Sequence, residues 1–543
     1  MHVFLYSEDV KVLLVQPPIE DFYDTSIRTY PLSLLYIAAS LSGLCDVSVI
    51  DLRTGMKRVV GEPHPFPELR PFFRDGVYTP FSLFSRFYRF GAGRDEIRRA
   101  ILDHAPDVVA ISSSYTTYSP EALEVARIAK EESKETTTIM GGTHATLFPE
   151  HLLQHDFVDY VIRGEGETPF ASLVTGMRTG KDPRSQGIVG VSFKDNGNLH
   201  IAGINVERNI DVLPDRRAIP SDTYRIGKKK YTFFLTSRGC PFECSFCGKP
   251  PVPYRKRSLT SVEREIDECV ALGIEAIDFE DDMLNLDKGF FAGLLNLFLN
   301  RGLTLSAMNG IYPGTIDEPT MELMYAAGFR RLNFSLVDTQ AWILESQHRA
   351  LPTALVELLP WLEGSPFLVE VHFIIGLPEQ KPEDVIETLI FLMGKRLLLG
   401  PSVFYLAPGS AAFRQVLGDV WEGQIKMMRS SAMFPASPLF PRETTYTIMK
   451  LVRFINYVKQ RLDKVEGLTK LSDLLEVRPA REVQEQEILK ALLMEKRFIC
   501  YTHKEQRFAE EQQNRDIVRL FFERARGMRI KGFKTSNQLI VDV

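Results

Sequence analysis

Runs of consecutive apolar, β-branched residues alternate with helical patterns along most of this 543-residue chain. In the first third the runs are "KVLLVQPP", "CDVSVIDL", "PDVVAISSS", "TTTIMGG" and "DYVIRGEGE", separated by stretches such as "YSPEALEVARIAKEE". A strand that is apolar on both faces must be covered on both, and strands linked through helices run parallel. Residues 1–185 therefore read as a doubly wound, Rossmann-like α/β domain, whose ligand crevice lies beyond the carboxyl ends of its strands. A second series follows: "YTFFLTS", "IEAIDFED", "LTLSAMN", "RRLNFSL", "LVEVHFIIG" and "SVFYLAP", with helices between them that close on or near Gly. Six such units fall short of the eight of a closed barrel, so residues 230–415 are expected to form a partial (β/α)6 barrel with its site at the C-terminal strand ends. Residues 186–229 read as a linker with a hairpin at Asn196-Gly197, and residues 416–543 as a mostly helical C-terminal domain. An insertion at 55–99, rich in Pro, Phe and Arg, fits a lid and a packed surface loop equally well.

Composition narrows the partners. With 65 Lys+Arg against 70 Asp+Glu the net charge is −5, which gives no sequence-blind attraction to nucleic acid or to an anionic membrane. No secretory signal opens the chain, and no apolar run reaches the length of a membrane span. A cytoplasmic protein without a membrane span is the expectation. Six cysteines are too few for a disulfide framework, and in a reducing compartment clustered thiols mean metal or redox chemistry.

Three of the six fall in "SRGCPFECSFCGKP", as Cys240, Cys244 and Cys247, directly after the first strand of the second domain. Three thiolates on one loop can hold three irons of a cubane cluster and leave the fourth iron open. Zinc is the structural alternative, but it needs four ligands, or three and a water. No second cysteine pair is present; Cys269 lies in a helical pattern, and the nearest histidines are His200 and His348.

The C-x3-C-x2-C spacing, Phe246 before the last cysteine, and the position after the first strand of a six-unit barrel resemble the radical S-adenosylmethionine (SAM) superfamily. The resemblance implies a 4Fe-4S cluster whose free iron chelates the amino and carboxylate groups of SAM. Cleavage of SAM by the reduced cluster would yield a 5′-deoxyadenosyl radical. By the same resemblance, Glu280 and Asp281 of "FEDDML" are candidates near the SAM amino group, with capping of the next helix as the alternative. Ser335 and Asp338 of "NFSLVD" are candidates on the SAM ribose, although the run departs from the "GIES" usual there. "FIIGLP" would flank the adenine, and Pro408 of "YLAPGS" would shape the rim.

In the first domain, "VVAISSSYTT" and "IMGGTHATLFPE" resemble consecutive strand ends of the cobalamin-binding fold. Ser112, Ser113, Ser114, Gly141, Gly142, Thr143 and His144 are the candidate cofactor contacts, because glycines allow close approach and hydroxyls supply hydrogen bonds without bulk. "YVIRGEGE", with Glu165, resembles a recurrent segment of cobalamin-dependent radical SAM enzymes. The likeness spans about residues 10–415. The loop "QPPIEDFYDTSIRTYPLS" contains no histidine, so the family's D-x-H-x-x-G loop is missing and the lower face of cobalt is expected to lack a histidine ligand. His144 reads as a hydrogen-bonding residue near the nucleotide tail rather than as a substitute axial ligand.

The function implied is a cobalamin-dependent radical SAM methyltransferase. It would methylate an unactivated centre, carbon in the first place, of a small-molecule substrate through hydrogen abstraction and methylcobalamin, since such a carbon has no lone pair for polar methylation. Two alternatives stand beside it: the same cofactors used for ring formation, rearrangement or oxidation, and a non-catalytic corrinoid-binding iron-sulfur protein. No redox domain is recognisable, so a low-potential donor such as flavodoxin or ferredoxin is expected from outside. No catalytic side chain can be named from sequence.

Overall fold

A computed structural model of the chain describes residues 10–23, 29–62, 66–416, 418–476 and 482–543. In the first half, β1 (Lys11–Gln16), β2 (Asp46–Asp51), β3 (Val108–Ser112), β4 (Thr137–Gly141) and β5 (Tyr160–Ile162) form a parallel sheet in the order β2-β1-β3-β4-β5. Along β1, Val12 and Leu14 pack with α1 (Leu32–Ser40) and α4 (Glu167–Arg178), while Leu13 and Val15 pack with α2 (Arg94–His104) and α3 (Ser119–Glu132). Burial on both faces is why the strand sequences show no polar alternation.

The hairpin turns at Asn196 and Gly197, with φ of 47° and 84°, the conformation that favours Asn-Gly. Its strands β6 (Val191–Asp195) and β7 (Asn198–His200) do not stand in a free linker. β6 pairs antiparallel with β5 and extends the first sheet, covering an edge that would otherwise be open.

In the second half, β8 (Lys229–Phe234) leads into a short ribbon of β9 (Ser237–Arg238) and β10 (Arg255–Lys256), with the three clustered cysteines between its strands. β8, β11 (Ala276–Phe279) and β12 (Thr304–Ser306) are parallel neighbours. So are β13 (Arg331–Val337), β14 (Leu368–Ile375) and β15 (Leu398–Val403). Parallel bridges from Leu305 to Phe329 and from Ile311 to Phe334 join the two groups. The six strands thus follow one another in chain order. β15 begins earlier than "SVFYLAP" suggests, because Leu398–Val403 is the stretch in register with Glu370–Ile375.

The Phe-rich insertion is packed, not a free lid. Phe66, Phe73, Phe81 and Phe87 are all buried, and Phe22 sits 4.9–5.1 Å from the rings of Phe66, Phe73 and Phe87. Phe81 meets Phe454 and Phe498 of the C-terminal part. Residues 63–65 of the insertion lie outside the described residues. The C-terminal part contains the long helix α5 (Arg442–Leu462), but also the hairpin of β16 (Ile499–Thr502) and β17 (Arg507–Glu510), onto which Val77–Tyr78 of the insertion adds a strand. Among the described residues, no helix is long and apolar enough to cross a membrane.

A buried ion triad ties the segment between the halves to the second one. Glu265, on a helix spanning Leu259–Ala271, pairs with Arg216 at 2.6 Å and with Arg257; the three are 0%, 2% and 4% exposed. Removing one member of such a set leaves buried charge uncompensated, at a cost of about 3–5 kcal/mol. Glu265→Ala is expected to lower the thermal unfolding midpoint accordingly; a midpoint equal to wild type would contradict the triad's role.

Candidate active site at the junction of the two halves

A cavity of about 780 Å³ opens between the carboxyl ends of the first sheet and the second half, within the size range of small-molecule and cofactor sites. Gln16, Arg53, Ser112, Ser114, Tyr115, Gly141, Gly142, Thr143 and Glu165 line it from the first half. Arg238, Pro250, Val252, Asp278, Glu280, Met308 and Asn309 line it from the second.

The floor is smooth for identifiable reasons. Gly142 has φ +111°, and a Cβ there would lie 2.8 Å from the Ser113 carbonyl oxygen, so only glycine fits. The close approach lets Ser113 N donate to Gly141 O (2.6 Å) and His144 N to Ser113 O (3.0 Å). Ser112 Oγ and Ser114 Oγ stand 3.1 Å apart at the cavity edge. Two candidates lie away from it. Ser113 is 2% exposed, beneath the floor. His144 is fully buried, with Nδ1 3.0 Å from Thr116 Oγ1 and Nε2 3.1 Å from His151 Nδ1. Burial, with His151 beside it, pushes its pKa down to about 3, so the ring is neutral. It is a residue of the domain interior and does not line the cavity. Of the loop without histidine, residues 24–28 lie outside the described residues.

The cysteine loop is held on three sides. At its start, Asp281 is 2% exposed and accepts from the backbone N–H and the hydroxyl of both Thr236 and Ser237, at 2.6–3.1 Å. Burial outweighs these bonds and pushes its carboxyl up to about 6. In the middle, Ser245 N donates to Gln347 O (3.3 Å), Arg349 Nη1 donates to Cys244 Sγ (3.7 Å), and the Phe242 ring packs 5.6 Å from Tyr312. At the end, Gly248 rests on the 407–408 turn so closely that a Cβ would lie 2.0 Å from the Pro408 carbonyl oxygen. All three cysteines are partly exposed. Burial raises the Cys247 thiol, Lys249 lowers it, and the neighbouring Cys244 and Cys240 thiols raise it further.

The remaining sequence candidates divide. Glu280 lines the cavity, and Asn309 Nδ2 donates to its carbonyl at 3.0 Å. Asp281 holds the cysteine loop and does not reach the cavity. Neither acid caps the next helix, Lys288–Phe298, whose N-cap is Asp287, accepting from Phe290 N at 2.9 Å. Ser335 lines a separate crevice of about 50 Å³ with Phe242, Tyr312 and Arg349. Asp338 is 1% exposed and accepts from Gln340 N (2.7 Å) and Gln380 Nε2 (2.6 Å), so its carboxylate is engaged in packing. Pro408 supports Gly248 and lines neither space. Glu165 lines the cavity but is held by Arg255 and Arg238.

Sequence reasoning passed over Arg53, Tyr115, Arg238 and Asn309. Arg53 and Asn309 follow the carboxyl ends of β2 and β12, so the rule that ligands bind beyond strand ends would have found them.

The residues fit the cofactors that the resemblance implies. Glycine backbone and short hydroxyls make a floor on which a large planar ring can lie, and three thiols on one loop form a cluster-type donor set. Among the described residues, no group of three or more His, Cys, Asp or Glu could hold a single metal ion. A cubane instead binds each thiolate at a different iron, so its ligands are spread around the cluster.

Comparison with known proteins agrees. Residues 86–174 match the B12 binding domain model. An uncharacterized methyltransferase of Pyrococcus horikoshii is 27% identical over 424 residues, 76% of this chain and 84% of the relative. The anaerobic magnesium-protoporphyrin IX monomethyl ester cyclase of Rubrivivax gelatinosus is 26% identical over 319 residues, 54% of this chain and 55% of the relative. In fold the chain is similar to the radical SAM methyltransferase TsrM of Kitasatospora setae, solved with cobalamin and a [4Fe-4S] cluster bound, with a TM-score of 0.56, 19% identity, and coverage of 76% of this chain and 75% of that one. The chain thus carries a match to the B12 binding domain and is similar, in sequence or in fold, to enzymes named as methyltransferases and as a cyclase.

Because Asp281 fixes the residues immediately ahead of Cys240, Asp281→Asn should reduce iron and sulfide incorporation severalfold in anaerobic reconstitution, measured per chain. Unchanged iron content would contradict that role.

Proposed function

We propose that the enzyme is a methyltransferase that acts on an unactivated centre, by the chemistry of the family a carbon, of a small molecule. Its working parts would be a six-strand partial barrel carrying the cluster and SAM, and a corrin bound on the first sheet. The observation that carries this reading is the single cavity lined at once by the Gly and Ser strand ends of the first half and by Arg238, Pro250 and Val252, which flank the cysteine loop. When bound, the cluster and SAM supply a radical able to take hydrogen from carbon, and the corrin supplies a methyl donor that a carbon radical can use.

The side chains have definable tasks. Cys240, Cys244 and Cys247 would hold the cluster. Glu280, with Asn309 beside it, offers an acceptor to a cationic amino group. Ser112, Ser114, Gly141, Gly142 and Thr143 would support the corrin and its tail. Placement between the two halves would limit the access of water to reactive groups. An external low-potential donor such as flavodoxin or ferredoxin would supply electrons.

The cyclase relative favours a second reading, in which the same cofactors close a ring without methyl transfer. Product mass separates the two: gain of one CH2 against loss of hydrogens. The first test is anaerobic reconstitution with iron, sulfide and hydroxocobalamin, followed by SAM and dithionite. The expected result is a four-iron cluster, a retained corrin and release of 5′-deoxyadenosine. A four-iron cluster without retained corrin would remove the methyltransferase reading, and Cys247→Ala is expected to abolish 5′-deoxyadenosine release.

A further inference from the structure

Between the two halves, on one wall of the cavity, lies a set of charges that the functional reading leaves without a task. Arg238 and Arg255 face each other across the β9–β10 ribbon, with Arg238 two residues ahead of Cys240. Both reach over to the loop that follows β5 in the first sheet. Arg255 grips Glu165 in a two-pronged pair, Nη2 to Oε1 at 2.7 Å and Nη1 to Oε2 at 2.9 Å. Arg238 Nη2 donates to Glu167 Oε1 at 2.7 Å, and its Nη1 lies 3.4 Å from Glu165 Oε1. The Arg238 guanidinium also stacks 5.0 Å above the Tyr36 ring of α1.

The loop has little freedom of its own. Glu207 N donates to Glu165 Oε2 at 2.5 Å, Asn205 Nδ2 donates to Glu165 O at 2.8 Å, and Gly164 bridges Asn205 in the parallel sense. A Cβ at Gly164 would lie 2.2 Å from the Asn205 carbonyl oxygen. The four charged side chains are 11–18% exposed, so solvent screens them weakly, and a planar fork fixes direction as well as distance.

We propose that this Arg238–Glu165–Arg255–Glu167 clasp is a positioning device that sets the separation and angle between the cysteine loop and the first-sheet ends, and so decides whether the methyl group of SAM can pass to Co(I) of the corrin, cobalt supplying both electrons of the new Co–CH3 bond as the S–CH3 bond breaks and S-adenosylhomocysteine leaves. The proposal rests on the functional reading above. It also gives Glu165 a task of its own, since Arg255 engages both of its oxygens at the cavity wall. Reactions across a gap depend steeply on alignment, and a misplacement of about 1 Å costs ~10²-fold. Cleavage of SAM needs only the cysteine loop and its own surroundings, so the two outputs should part company when the clasp is loosened.

Two variants test it. Glu165→Gln keeps the shape of the side chain and removes its charge; Arg255→Lys keeps the charge and removes the fork. Each is reconstituted anaerobically with iron, sulfide and hydroxocobalamin, and given dithionite with SAM carrying a deuterated methyl group. Label reaching the corrin, read by mass spectrometry, should fall by ~10²-fold, while 5′-deoxyadenosine release falls by less than about tenfold. In the protein without cofactors, hydrogen exchange should quicken at residues 164–168 and 237–240. If both outputs fall in parallel, or neither changes, or exchange at those residues is unaltered, the clasp is only a structural contact and the proposal fails. If wild-type protein neither labels the corrin nor releases 5′-deoxyadenosine, the functional reading itself fails, and the proposal with it.

Discussion

The arrangement depends on one buried carboxylate. Asp281 leaves β11 through Glu280 and turns back to collect the N–H and hydroxyl groups of Thr236 and Ser237. Those residues are where β8 ends and the ribbon of the cysteine loop begins. Holding an ion in so buried a place is unfavourable: the rise of its pKa from 3.8 to about 6 corresponds to about 3 kcal/mol favouring the protonated form. The sign follows. The folded state holds this proton more tightly than the unfolded chain, so the contribution to stability is present below pH 4 and is lost as pH rises through about 6. At neutral pH the site therefore carries a stability penalty, which is intelligible if the carboxylate's task is to fix the loop's starting point.

The halves are joined by more than a linker. Apart from the Glu165 clasp, Arg429 of the C-terminal part donates to Thr117 Oγ1 and Glu20 O and pairs with Asp21 at 3.1 Å. Asp21 also accepts from Tyr118 OH and Ser431 Oγ. Together with the Phe66–Phe87 insertion, these contacts bind the first domain to both later parts. Closure around the cavity is thus built from buried polar networks and aromatic packing, and does not need a mobile lid.

The architecture was readable because its strongest signals are physical necessities. Parallel strands covered on both faces show apolar runs without polar alternation, as Val12–Val15 and Val108–Ile111 do; the order of the strands in the sheet is not contained in that pattern. What the sequence concealed is the direction of individual side chains. Ser112 and Ser114 line the cavity while Ser113 between them does not, as the period of a strand end requires. Neighbours Glu280 and Asp281 likewise point to different tasks. Glu165 stands out in the sequence, but its arginine partners do not, since Arg238 and Arg255 lie more than 70 residues away. The aromatic insertion is ambiguous in sequence because a lid and a packed satellite both need large apolar side chains; only the meeting of Phe81 with Phe454 and Phe498 resolves it.

In the proposed arrangement a corrin resting on the first sheet would face the cysteine loop across one shared cavity. Electron paramagnetic resonance of the reconstituted protein, poised so that cobalt is Co(II) and the cluster is reduced, tests it most directly. Two paramagnets across this cavity must couple, so the expected signals are broadened or split by their mutual dipolar field. A simple sum of the spectra of isolated Co(II) corrin and isolated cluster would contradict it.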